Sequence, residues 1–164
     1  MDGGPRSSRM VGHRVMHILV FNLVQAVVCI YAFVRGGMPE RVTAVLLLVA
    51  GGATYLVPFD PQRGWADLRV PILLIDLALL CGLASIATFA NRYWPIWISS
   101  LHLIAIAVHG IRVINPDFVP WMYGVAVGKI AYPMLLMLLI GTRRHRQRQL
   151  AFGSDRDWTP LRLG

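Results

Sequence analysis

The stretch VPILLIDLALLCGLASIATFA, residues 70–90, decides the fold. A helix needs about 20 apolar residues to cross about 30 Å of hydrocarbon, and this run has the length and the composition to do so. Pro71 falls in its first turn, where a missing N–H costs nothing. Asp76 interrupts it, and an ionisable group in such a run is expensive enough to call for a role.

Working outward, four further runs have the same character: 15–34, 42–59, 93–111 and 120–141. The links between them are short and rich in turn formers: Gly36, Gly37 and Pro39, then Pro58 to Gly64, then Asn91 and Arg92, then Asn115 to Asp117. Pro95 and Pro120 also fall in first turns, whereas Pro133 lies inside the fifth run and predicts a break in its backbone ladder. The expectation is an all-α integral membrane protein. It is a single bundle over residues 1–141 with five transmembrane helices, followed by a basic, polar C-terminal tail over 142–164. Four spans, with the weak second run (it holds Gly51, Gly52 and Thr54) folded back, are the alternative. The first run reads as a retained anchor, because no cleavage pattern of small residues follows it.

Composition agrees. Of the 164 residues, 56% are hydrophobic and 15% charged, against about 25% charged in ordinary soluble domains. The net charge is +8, and Lys129 is the sole lysine among 16 basic residues. The arginines punctuate the ends of apolar runs, as membrane topology requires, so the charge points to a lipid surface and not to nucleic acid. Cys29 and Cys81 lie inside apolar runs and read as free thiols.

Five spans sort the aromatic residues into two belts. Tyr55, Phe59, Trp65, Phe118, Trp121 and Tyr123 lie on the face of the N-terminus, face A. Tyr31, Phe33, Phe89, Tyr93, Trp94 and Trp97 lie on the opposite face, face B. Face B also collects Arg35, Arg41, Arg92 and the basic cluster Arg143, Arg144, Arg146 and Arg148, which reads as a lipid-surface anchor. That cluster favours a cytoplasmic face B, with the C-terminus inside, in a plasma or inner membrane.

Five ionisable residues fall inside the runs: His17, Asp76, His102, His109 and Lys129. Asp76 and Lys129 form the natural ion pair, since each alone is costly and the lysine stem closes the offset in depth. Gly124 and Gly128 make a GxxxG, and Ala78 and Gly82 share that spacing in the third run. Small residues four apart let helices approach, so the third and fifth helices are expected to be neighbours. The histidines hydrogen-bond across helices, with a b-type haem between His17 and His109 as the alternative. A metal site from His13, His17 and His109 lacks a completing carboxylate or thiolate.

No nucleotide, hydrolase or zinc-protease motif is present. The chain is therefore expected to be a non-enzymatic accessory or structural subunit of a membrane complex, without cofactor. Its expected partners are the bilayer and other membrane subunits or further copies of itself, with no nucleic acid. A haem- or quinone-linked redox protein and a small oligomeric transporter or channel are the alternatives.

Overall fold

The computed structural model describes residues 5–57, 70–114, 120–155 and 157–158, and the side chains within 16–57, 70–108, 129–155 and 157–158. Five helices make up the described chain: α1 Pro5–Arg35, α2 Met38–Leu56, α3 Val70–Phe89, α4 Trp94–Ile114 and α5 Pro120–Phe152. They match the five apolar runs. Proline opens or nearly opens all five, at Pro5, Pro39, Pro71, Pro95 and Pro120, where its fixed φ suits a first turn.

Two helices outrun their apolar stretches. α1 begins at Pro5, well before residue 15, and α5 continues past Gly141 to Phe152. The first half of the segment expected as tail, residues 142–152, is therefore a helical extension. α5 also stays continuous through Pro133, although the proline withholds an N–H from the carbonyl one turn back.

The helices pack as a ring in chain order, with α5 closing on α1 and also touching α2. The core runs through the middle of the bundle: Cys29 and Ala32 from α1, Ala44 and Leu47 from α2, Leu79 and Leu83 from α3, Ile98 from α4, and Met134, Leu135 and Leu138 from α5. Cys29, Ile98 and Leu138 are fully closed off. An edge-to-face pair, Phe21 with Tyr132 at 5.3 Å, joins α1 to α5.

In this order α3 lies between α2 and α4, and α5 packs against α4, α1 and α2. The expected seam between the third and fifth helices is replaced by one between α3 and α2. Gly82 takes the Leu46 side chain of α2, whose Cδ1 would lie 2.8 Å from a Cβ at that glycine. Ala78 is exposed. The surroundings of Gly124 and Gly128 lie outside the described side chains.

Met16–Arg35 and Val70–Phe89 are long and apolar enough to cross a membrane, and Trp94–Val108 is a shorter apolar stretch. Several polar side chains within the helices bond locally or to a neighbouring helix. Thr43, Ser99 and Thr142 each donate to the carbonyl four residues back. Gln25 Nε2 donates to the Leu47 carbonyl at 2.9 Å, and Asn22 Nδ2 to the Tyr55 hydroxyl at 2.6 Å, stitching α1 to α2.

Candidate functional site

The polar centre of the molecule is at the face-B end, where three tight turns and the chain's C-terminal segment meet. The α1–α2 turn is Gly36–Gly37, closed by Gly36 N to the Ala32 carbonyl at 2.8 Å and by Arg41 Nε to the Gly36 carbonyl at 3.1 Å. Ala90 to Tyr93 make the α3–α4 turn, where Arg92 N donates to the Ala90 carbonyl at 2.8 Å. Past α5, Gly153 adopts a left-handed φ of 72°, which glycine tolerates without a Cβ penalty. The chain then turns back across the bundle end. Ala90 and Trp158 pair as an isolated antiparallel β-bridge, and Asn91 N donates to the Asp157 carbonyl at 3.3 Å.

Arg92 is the hub. It is buried, and its guanidinium reaches Asp155 Oδ2 at 2.5 Å, Asp157 Oδ1 at 3.0 Å, His145 Nδ1 at 2.9 Å and Glu40 Oε1 at 3.4 Å. Glu40 is fully buried in the first turn of α2, a position the helix dipole favours for an anion. Its Oε1 also accepts the Trp94 indole N–H at 3.2 Å. Glu40 Oε2 and Arg92 Nε have no hydrogen-bond partner, so this arm of the cluster is an ion pair by charge more than by geometry.

His145, 2% exposed, touches both Arg92 and Asp155 through one nitrogen, Nδ1, the latter at 2.7 Å. The two bonds exclude each other: a protonated Nδ1 donates to Asp155, and a bare one accepts from Arg92. Asp155 also takes Arg148 Nε on both oxygens, at 3.0 and 3.1 Å. Burial by itself would raise the Asp155 carboxyl. Hydrogen bonds from His145, Arg92 and Arg148, with the charge of Arg92, outweigh it and hold the group below its ordinary value.

Glu40, His145 and Asp157 present ligand atoms within 4.8 Å of one another, the spacing a metal ion would use. All three already face the Arg92 guanidinium. A divalent cation would have to share a buried site with that charge, so arginine is the cation this donor set accommodates. The arrangement clamps the C-terminal segment onto the bundle end.

None of this cluster's centre was among the candidate residues read from the sequence. Arg92 counted only as a flanking charge, and Trp94 as part of the face-B belt; the structure instead buries Trp94 to 8% exposure against Glu40 and Gly141. Tyr93, Trp97, Phe33 and Phe89 are exposed, as a belt requires, and so is Tyr55 at the other end. Of the basic cluster, Arg143, Arg144 and Arg146 are exposed, but Arg148 turns inward to Asp155. A signal was available: Glu40, Asp155 and Asp157 are the acids of face B, and they pair with its cations.

The expected Asp76–Lys129 pair is not among the ion pairs of the described residues. Lys129 is exposed, and α3 packs mainly on α2 and α4. The Asp76 backbone carbonyl accepts from His102 Nε2 at 2.9 Å. Both line a cavity of about 190 Å³ between the helices, with Phe21, Gln25, Gly51 and Met134. The His102 bond ties α4 to α3. His17 sits on the exposed side of α1, and the side chains of His13 and His109 lie outside the described residues. The chain matches no family model, no curated protein and no solved structure.

Proposed function

We propose that the protein is an integral membrane protein that crosses the bilayer five times and serves as a non-enzymatic accessory or structural subunit of a membrane complex. The observation that supports this is an inverted distribution of polarity. Large apolar side chains face outward on every helix: Leu23 is 66% exposed, Val49 62%, Leu74 60%, Leu103 54% and Leu136 51%. At the bundle end Glu40, Arg92 and His145 are buried and close on Asp155 and Asp157. Apolar surface on that scale needs lipid or neighbouring subunits to cover it. The Arg92 cluster then sits at the membrane boundary, where buried charges are neutralised in pairs before the chain re-enters the apolar layer.

On this reading the C-terminus is cytoplasmic, no cofactor is resident and nucleic acid is not a partner. Three measurements test it. The protein should stay with membranes through alkaline carbonate. Reporters before Met1 and after Arg148 should lie on opposite sides. Native electrophoresis should show a hetero-complex. Carbonate extraction, or reporters on one side, would overturn the five-span reading, and a Soret band in the purified protein would replace it with a haem protein.

The cavity beside Asp76, His102 and Gln25 favours a second reading, a small oligomeric transporter or channel. A homo-oligomer in native membranes, in place of a hetero-complex, would select it.

A further inference from the structure

We infer that the face-B end carries a binding site for the headgroup of an anionic phospholipid, in the groove between the α1–α2 turn and the helical extension of α5. This rests on the membrane reading above. The groove has a volume of about 630 Å³, and three arginines line it: Arg35 at the end of α1, Arg41 in the first turns of α2, and Arg146 on α5. Among the described residues Arg35 and Arg146 make no ion pair, and Arg41 spends only Nε, on the Gly36 carbonyl. Their terminal nitrogens are free to take a phosphate in paired hydrogen bonds.

The acid in the groove does not neutralise them. Asp157 gives one oxygen to Arg92 and the other to the Met38 N–H. The cluster behind the wall thus satisfies its own charges and leaves the groove with three unspent cations.

Lipid is favoured over a soluble anion by the rim. Val34 (61% exposed), Met38 (50%) and Leu150 (77%) border the same groove. Val34 and Met38 continue into the outward apolar faces of α1 and α2. A headgroup between the arginines therefore has acyl chains beside surface that needs covering. Basic pockets between helices at a membrane boundary bind anionic headgroups by this combination.

The test is lipid binding by the full chain in detergent, read by native mass spectrometry and by thermal midpoint. Phosphatidylglycerol, phosphatidylcholine and inorganic phosphate are the probes. Phosphatidylglycerol should bind at one saturable site and raise the midpoint, and the other two should not. R35Q/R146Q leaves the Arg41 tie intact and should weaken phosphatidylglycerol about twenty- to thirtyfold, from the loss of two cations near the headgroup. R143Q/R144Q removes two exposed charges outside the groove lining and should change it less than about threefold. R35K/R146K should bind with intermediate strength, since charge without the planar fork is retained.

Equal losses in the two Gln doubles would overturn the site in favour of diffuse surface charge. Equal stabilisation by phosphate would replace lipid with a soluble anion, and no response to phosphatidylglycerol ends the proposal. Carbonate resistance of the wild type, measured alongside, separates these outcomes from failure of the membrane reading.

Discussion

Asp157 accepts the backbone N–H of Met38 at 3.2 Å across a separation of 119 residues, so the C-terminal segment caps the start of α2. Gly37, the residue in the N-cap position, has no side chain to do so. A helix start leaves N–H groups without internal partners, and an acceptor there contributes about 1 kcal/mol. Asp157→Ala should lower stability by about that much, plus the loss of its bond to Arg92. Asp157→Asn, which keeps an acceptor, should cost less. Hydrogen exchange of the first turn of α2 should speed up in the alanine variant; unchanged exchange there would show that the cap is dispensable.

Arg92 carries more than the cap. Its removal takes the counter-charge from fully buried Glu40 and, among the described residues, leaves Asp155 with only His145 and Arg148 and Asp157 with only the Met38 N–H. Breaking a buried pair by deleting one partner costs about 3–5 kcal/mol. Arg92→Gln should therefore reduce folded yield and open the segment after Gly153 to protease. Arg92→Lys keeps the charge, cannot serve several acceptors at once, and should fall between. Wild-type protease resistance in Arg92→Gln would refute the clamp.

Gly37 permits the clamp to close. A Cβ there would collide with the Asp157 carboxylate and lie 2.9 Å from His145 Cε1. Gly37→Ala should thus displace the C-terminal segment while the helices remain formed. Near-native far-ultraviolet circular dichroism together with a protease-sensitive C-terminus is the expected result.

Gly141 makes the matching demand on α5. A Cβ there would sit 2.7 Å from Trp94 Nε1 and 2.8 Å from Trp94 Cδ1, both parts of a rigid ring held by Glu40. Overpacking of this kind costs about 1–3 kcal/mol. Gly141→Ala should lower the thermal midpoint and change the Trp94 environment. Gly153→Ala meets no atom but forces a side chain into a left-handed φ, and should cost about 1 kcal/mol.

Acid should release the clamp. The folded Asp155 value lies below the ordinary one because His145, Arg92 and Arg148 outweigh burial. A group lowered in this way adds stability that is full above its unfolded value, about 3.9, and lost as pH falls through the folded value. Well above its unfolded value the Asp155 carboxyl is fully ionised, and below about pH 4 its share declines. Asp155→Asn should flatten the acid limb of the stability profile, measured by thermal midpoint between pH 3 and 7. A parallel acid limb in that variant would assign it to other carboxylates.

The local order of this protein was legible in its residues. Apolar runs of spanning length matched five helices, and prolines near the starts marked where α3 to α5 begin, because both depend on neighbours in sequence. Helix length beyond the runs was less legible. The extension to Phe152 is held by groups far along the chain: Thr142 and His145 are buried although the segment around them is polar.

Which helices touch depended on tertiary structure. Asp76 and Lys129 match in depth and charge, yet depth says nothing about the order of helices around a ring, where α3 packs mainly on α2 and α4. The small-residue spacing at Ala78 and Gly82 was equally silent on partner, and Leu46 of α2 filled it. The Arg92 cluster was hidden for the same reason. Its members come from the start of α2, the α3–α4 turn, the end of α5 and the segment beyond, each reading locally as an ordinary flanking charge. Only the folding of four ends onto one point turns those charges from solvated flanks into a buried clamp, because the energy of a charge depends on what surrounds it and the sequence lists only what precedes and follows it.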